Sequence, residues 1–445
     1  MTRPTPSAQA ALPWRAGTAY GALGFALAFA ALPLYVVLPH YYARTVGLSL
    51  ASVGALLMVV RLIDAVVEPW LGRASDALLQ RPAARVLGVG AILALLQWLG
   101  MAALFFPAVT AGSSAQALWL VGGLLWTCTA HSLLVILHQA WGVRWGGNEA
   151  QRSRIVAWRE GWGLVGVVVA SAASVVWGAA AMLAVFGCAL LLGLWGWQRA
   201  PRPVALYACA AAVPTPTPSQ RAPLWWPLAQ PAFRRLLAVF VCNGIASAIP
   251  AALMLFFAQD RLRASDQATA MCLVLYFVCG AASMPLWLRA VQRWGLAKSW
   301  WLGMLLAVVC FAWTAGLQEG QVRTFALICA CTGLCLGADL ALPGALLARV
   351  IEAQGAQGQH EGAYLGWWSL ASKLNLALAA GAALPLLQWL GYTPGTQDAQ
   401  ALQHLAWAYA LVPCLLKLLA AVLCWALLIR PSHTVAGPRN WRKTS

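Results

Sequence analysis

Arg61, Asp64 and Glu68 stand in RLIDAVVEPWLGRASDAL, residues 61–78, inside a run otherwise apolar enough to be membrane. On a helix, residues three and four apart share a face, so the spacing i, i+3, i+7 sets all three on one stripe about two turns long. Facing lipid, that stripe would be prohibitively costly; facing a bundle interior it needs partners or water. Arg61 can neutralise Asp64, which leaves Glu68 in need of a proton, a metal cation or another positive group. A structural ion pair between helices is the bland reading. A site for a proton or a metal ion such as Na+ is favoured, because two acids on one face exceed what one arginine balances.

Three more ionisable residues lie within apolar runs. Lys373, in GAYLGWWSLASKLNLALAAGAALPLL with Asn375 nearby, must be paired or deprotonated if buried. Close to Asp64 and Glu68 it would compete with a bound cation. Lys417 lies nearer a helix end and is expected to snorkel towards water. Asp339, in LGADLALPGALLARVIE, precedes a proline that can loosen the helix and free backbone carbonyls. It reads either as lining a site or as a structural hydrogen-bonding group.

The elements that must position these groups are membrane helices. Of the 445 residues 62% are hydrophobic and 9% charged, with a mean hydropathy of +0.73. A soluble domain carries about 25% charged residues, so the solvent here is lipid. Twelve apolar stretches reach the ~20 residues that span a bilayer. They lie near 17–41, 49–72, 86–108, 115–143, 154–177, 179–198, 232–258, 268–290, 297–317, 324–349, 362–390 and 404–429. The net charge of +17 would suit nucleic acid, but its distribution argues otherwise. With both termini cytoplasmic, 22 of the 29 Lys and Arg fall in tails, cytoplasmic loops and the cytoplasmic ends of these stretches. That is the positive-inside pattern, and no nucleic-acid partner is expected. The 12 cysteines sit almost wholly inside apolar runs and read as packing thiols rather than metal ligands. The 25 tryptophans crowd towards helix ends, as interfacial anchoring predicts.

Six runs precede a Pro-rich segment, AAVPTPTPSQRAPLWWP, and six follow it. The expected organisation is an N-terminal six-helix bundle at 1–198, a cytoplasmic linker at 199–231 and a C-terminal six-helix bundle with a short cytoplasmic tail at 232–445. EPWLGR (68–73) is echoed by MPLWLR (284–289), with proline and arginine at the same spacing, as an internal duplication predicts. The second copy lacks the acids, so the chemistry of Asp64 and Glu68 belongs to the first half.

At these residues the chain resembles the major facilitator superfamily, and within it the glycoside–pentoside–hexuronide:cation symporters. Their helix 2 signature Arg-x-x-Asp-Ala-x-x-Asp-Pro-x-x-Gly, followed by Ser-Asp, is similar to Arg61, Asp64, Ala65, Glu68, Pro69, Gly72, Ser75 and Asp76. The loop between helices 4 and 5 resembles NEAQRSRIVAWREGWGLVG, with Arg152 and Arg159 at matching places, and Lys373 falls on the family lysine. The resemblance implies an all-α polytopic membrane protein with a major facilitator fold of twelve helices in two bundles. It implies coupling-cation binding at Asp64 and Glu68, with Arg61 and Lys373 as charge partners, and a cytoplasmic gate at Asp76, Arg152 and Arg159.

Sugar-transporting relatives hold hydroxyls with acids in helices 1 and 4. Here helix 1, YGALGFALAFAALPLYVVLPHYYAR, has none, and the helix 4 position falls on Val135. A buried unpaired hydroxyl costs roughly 1–3 kcal/mol, so a polyol would need other partners. Thr127, Thr129, His131, Ser132, His138 and Gln139 of helix 4 could supply some, with Asp339 and Asn375 from the second half, although each helix 4 histidine also suits plain packing. The expectation is a monomeric secondary transporter, multi-pass in the inner (plasma) membrane, with both termini cytoplasmic. It would carry a small organic solute, sugar-like by family default, with Na+ or H+ as coupling ion and no cofactor, and work by alternating access. A carrier or exporter of a more apolar, lipid-like solute and a non-transporting sensor are the alternatives. No HExxH, Gly-x-Ser-x-Gly or Walker motif suggests an enzyme.

Overall fold

The structure, a computed structural model, describes residues 13–42, 50–108, 113–176, 178–203, 224–389, 391–392 and 395–430. Most of the expected linker and both chain termini lie outside the described residues. The main part of each apolar run falls on one long helix. In chain order these are α1 (Trp14–Leu32), α2 (Leu50–Leu79), α3 (Ala83–Phe105), α4 (Ser113–Val143), α5 (Glu149–Val176) and α6 (Gly178–Arg199). There follow α7 (Pro231–Phe256), α8 (Asp266–Trp294), α9 (Leu296–Phe311), α10 (Val322–Ala353), α11 (Glu361–Trp389) and α12 (Ala399–Cys424). Among the described residues, 8 helices are long and apolar enough to cross a membrane by length and composition. Several helices outrun their apolar segments: α2 continues to Leu79 and α5 begins at Glu149. Backbone hydrogen bonding does not stop where hydrophobicity does, so charged ends such as Asp76 and Arg152 are carried on helix rather than loop.

The chain divides into two compact units. The first takes Met1–Ala229 and Leu347–Leu374, the second Gln230–Leu346 and Asn375–Ser445. Thus the end of α10 and the first half of α11, with Lys373, group with the N-terminal helices.

In the first unit α1 packs on α5 and α6 through small residues. A Cβ added at Gly21 would lie 2.6 Å from the Trp158 carbonyl oxygen of α5. Lipid gives helices no hydrophobic reason to associate, so close backbone approach and dispersion hold them together. In the second unit Leu253, Phe257, Phe325 and Tyr409 are buried together, with the Phe257 and Tyr409 rings stacked at 4.3 Å. The cysteines among the described residues are free thiols, and no group of three or more His, Cys, Asp or Glu there could hold a metal ion.

Candidate functional site

Glycines place Lys373 beside the helix 2 acids. Gly72 on α2 and Gly362 on α11 meet so closely that a Cβ on either would collide with the other's carbonyl oxygen. One turn along, a Cβ at Gly366 would lie 2.6 Å from the Glu68 carbonyl oxygen. Lys373 follows Gly366 by seven residues, two turns of helix, so it shares the face that α11 presents to α2.

Asp64 is 6% exposed and Glu68 is fully buried. Lys373 Nζ donates to Asp64 Oδ2 at 2.5 Å and to Ser132 Oγ of α4 at 2.8 Å, and it pairs with Glu68 Oε1. Ser132 in turn donates to Asp64 Oδ1 at 3.2 Å. Among the described residues no donor reaches Glu68 Oε2, which is fully buried. One ammonium therefore serves two buried carboxylates, and a carboxylate oxygen out of water remains unsatisfied. Arg61, one turn before Asp64, is exposed, and Lys373 pairs with both acids. Chemically, the cluster can exchange its ammonium for a small cation or accept a proton, because either brings positive charge to the unsatisfied oxygen.

The polar residues of α4 are spread over different surroundings. Thr127 is buried and donates to Gly123 O of its own helix at 2.6 Å. His138 is wedged against Tyr20 of α1, with stacked rings 4.2 Å apart. Its Nε2 lies 3.1 Å from the Tyr20 carbonyl oxygen, and a carbonyl only accepts, so that nitrogen carries the proton. His138 is thus a packing residue between α1 and α4. His131 is half-buried and accepts from Gln97 Nε2 of α3 at 2.9 Å through Nδ1; Gln97 Oε1 is buried without a partner. Gln139 is half-buried.

At the end of α2, past the apolar run, Asp76 caps the start of α11. Its Oδ1 accepts from Gly362 N at 2.6 Å and its Oδ2 from Ala363 N at 2.9 Å. These are N–H groups of a helix's first turn, which have no partner within the helix. Burial and the nearby Glu361 raise the Asp76 pKa, while the two N–H bonds and Arg144 act against that rise. Beside it Arg144, a residue that sequence reasoning left aside, is buried at 5% exposure. It donates to Leu79 O at 2.6 Å, Gly358 O at 3.1 Å and Glu361 Oε2 at 3.1 Å. Arg152 pairs with Glu352 and Arg349 with Glu149, so the end of α10 is tied to the start of α5. Arg159, two turns further into α5, holds Glu160 through Nη2 at 2.5 Å and Nε at 3.0 Å. Asp76→Ala leaves the two N–H groups without an acceptor and should lower stability by about 0.5–2 kcal/mol. Asp76→Asn, which keeps one acceptor oxygen, should lose less. Melting temperatures of both variants check this, and two wild-type values would show that the cap contributes nothing.

Asp339 and Asn375 belong to the second unit. Lys417 differs from the snorkelling expectation by turning inward: it donates to Asp339 Oδ2 at 2.7 Å and to Ser247 Oγ at 3.0 Å. The other oxygen of Asp339 accepts from Trp300 Nε1 at 2.9 Å and Asn243 Nδ2 at 3.1 Å. The arrangement repeats the lysine–aspartate–serine contact of the first unit, but with one acid per lysine and both acid oxygens satisfied. Asn375 is 4% exposed, packs on Gly244 and leaves its Oδ1 unpartnered.

A sequence model of the family described as "MFS/sugar transport protein" matches residues 17–430. The chain belongs to this family. It is therefore a membrane transporter with the major facilitator fold, not an enzyme, and the likeness of α2 to the glycoside–pentoside–hexuronide:cation symporters is consistent with that membership. No curated protein sequence matches the chain. Among solved structures it is similar in fold to a bacterial homologue of the iron transporter ferroportin in an outward-facing state. That comparison has a TM-score of 0.70 and 15% identity, covering 94% of this chain and 99% of the other. It is also similar to the proton:xylose symporter XylE bound to 6-bromo-6-deoxy-D-glucose, with a TM-score of 0.60 and 14% identity over 93% and 94% of the two chains. At such identities the likeness is one of fold.

Proposed function

We propose that this MFS/sugar transport protein family member is a cation-coupled symporter of a small, sugar-like solute, with Asp64 and Glu68 as the coupling site. The observation that carries the proposal is the single Lys373 ammonium shared by two buried carboxylates, with Glu68 Oε2 left without a donor. A proton or Na+ arriving there brings positive charge to Glu68 Oε2 and releases Lys373. The cluster then has two ionic states, and solute binding that favours one of them is linked to the cation, reciprocally, through their common equilibrium. Alternating access converts that linkage into concentrative transport. By the distribution of basic residues, both termini face the cytoplasm. The XylE neighbour is a proton-coupled carrier of a sugar, which is in keeping with the proposal.

Uptake into proteoliposomes, with imposed Na+ or proton gradients and a panel of sugars, sugar acids and polyols, tests the proposal. At least one solute should accumulate only when the ion gradient is present. Accumulation of every transported solute without any ion gradient would defeat it. Simple galactosides such as melibiose should be carried weakly or not at all, because helix 1 lacks an acid and Val135 stands at the helix 4 position. Robust Na+- or proton-stimulated melibiose uptake would show that the remaining polar residues of α4, His131 and Gln139 foremost, suffice to hold a sugar.

A further inference from the structure

The two ends of the second unit differ sharply in charge. Neighbouring helices alternate in direction, so the starts of α7 and α9 and the ends of α8 and α12 lie at one end. That end carries Arg234, Arg235, Arg289, Arg293, Lys298 and Arg430, all exposed. Among the described residues none of the six takes part in an ion pair, and those of the second unit place no acid there. At the opposite end Asp260, Asp266, Glu319 and Asp398 stand among Arg261, Arg263 and Arg323, and Arg263 pairs with Glu319 at 3.2 Å.

The six cations stand at the ends of helices that are neighbours in the unit. α8 and α9 are joined by the single residue Gly295. The end of α12 touches the start of α9, where Cys424 Sγ lies 3.7 Å from Ala297 O and the Trp301 and Trp425 rings are 5.4 Å apart. α12 packs along α7 as well, with Cys242 Sγ donating to Leu416 O at 3.3 Å. Exposed Trp294 and Trp425, at 49% and 47%, flank these cations. Tryptophan settles at headgroup depth, so the aromatic rings place these six side chains at the height of lipid phosphates.

We infer that this basic end is a docking surface for anionic phospholipid headgroups of the phosphatidylglycerol type. The positive-inside tendency accounts for basic residues on one side of a membrane. It does not require them to stand on neighbouring helix ends, clear of the acids of their unit and flanked by exposed indoles. A phosphodiester with no compensating ammonium supplies the missing negative charge, and juxtamembrane basic clusters attract such lipids. Zwitterionic headgroups carry their own cation and are not selected.

The test is the melting temperature of the full chain in nanodiscs of phosphatidylcholine alone, with added phosphatidylglycerol, with added phosphatidylethanolamine, and in phosphatidylcholine with free inorganic phosphate. A ligand bound only by the folded protein raises apparent stability. Phosphatidylglycerol should raise the melting temperature by several degrees, phosphatidylethanolamine and free phosphate should not, and 1 M salt should erase most of the shift. The paired variants Arg289→Gln/Arg293→Gln and Lys298→Gln/Arg430→Gln should each lose a substantial part of it, while Arg323→Gln at the other end keeps it whole. The pairs are used because neutralising all six residues at once could alter insertion. Equal shifts from phosphatidylglycerol and phosphatidylethanolamine, a shift from phosphate alone, or undiminished shifts in both paired variants would each overturn the inference.

Discussion

Glu68→Gln should leave a folded, membrane-inserted protein that melts at or above the wild-type temperature and no longer binds its coupling cation. The substitution removes the negative charge of the side chain with an unsatisfied buried oxygen. What remains is Lys373 with Asp64 and Ser132, a neutral pair with a hydroxyl bridging the two charges. Two buried carboxylates share one ammonium, so neutralising one of them leaves a balanced ion pair and is neutral or favourable for folding. For a cation the same change deletes one of two charged ligands. Truncating one partner of a buried charge interaction costs about 2–5 kcal/mol, which corresponds to a loss of at least ~30-fold in affinity. Stability and ion response should therefore move in opposite directions. A purely structural ion pair makes the contrary prediction of lowered stability. Thermal melts of the two proteins across a Na+ and pH series distinguish the two.

The second large effect concerns the lysines. Lys373→Met takes from Asp64 and Glu68 the ammonium they share, and breaking a buried pair in this way should lower stability by about 3–5 kcal/mol. Added Na+ should restore much of that loss, because the two carboxylates can then share the metal ion in place of the ammonium. Lys417→Met strands a single acid, Asp339, whose other oxygen still accepts from Trp300 and Asn243. It should lose less stability and should not respond to Na+. The contrast follows from charge count, two acids per lysine against one. Guanidinium or thermal melts of both variants with and without 100 mM-scale Na+ check it. Equal rescue of both, or of neither, would separate the ion response from the α2 acids.

The parts of this site that the sequence made legible are local. Arg61, Asp64 and Glu68 announce themselves because a charge stripe at helical spacing is conspicuous in an apolar run, and Lys373 because a lone lysine in a membrane helix needs a partner. The parts that escaped depend on long-range packing. Arg144 pairs with Glu361 across 217 residues of sequence, and no local pattern tells which arginine of a basic loop turns inward. The contact of Gly72 with Gly362 and Gly366 had a usable signal, since small residues four apart in EGAYLG mark a close helix crossing. Lys417 was read from its distance to the helix end; its inward turn follows from Asp339 and Ser247 standing on helices that pack against α12. The histidines of α4 show the converse. His138 looks chemical in the sequence, yet Tyr20 and Trp197 enclose it, which fits the packing alternative.

The claim that Lys373 and a cation alternate on Asp64 and Glu68 is tested most directly by calorimetric titration of Na+ into purified protein at several pH values, for wild type, Asp64→Asn and Glu68→Gln. The account predicts one Na+ site per chain in the wild type, with protons competing for it, or, where the proton itself is the coupling ion, net proton uptake on acidification with no Na+ heat. In both variants that signal should be lost. Full cation or proton binding in both variants would contradict the account and place the coupling site elsewhere in the chain.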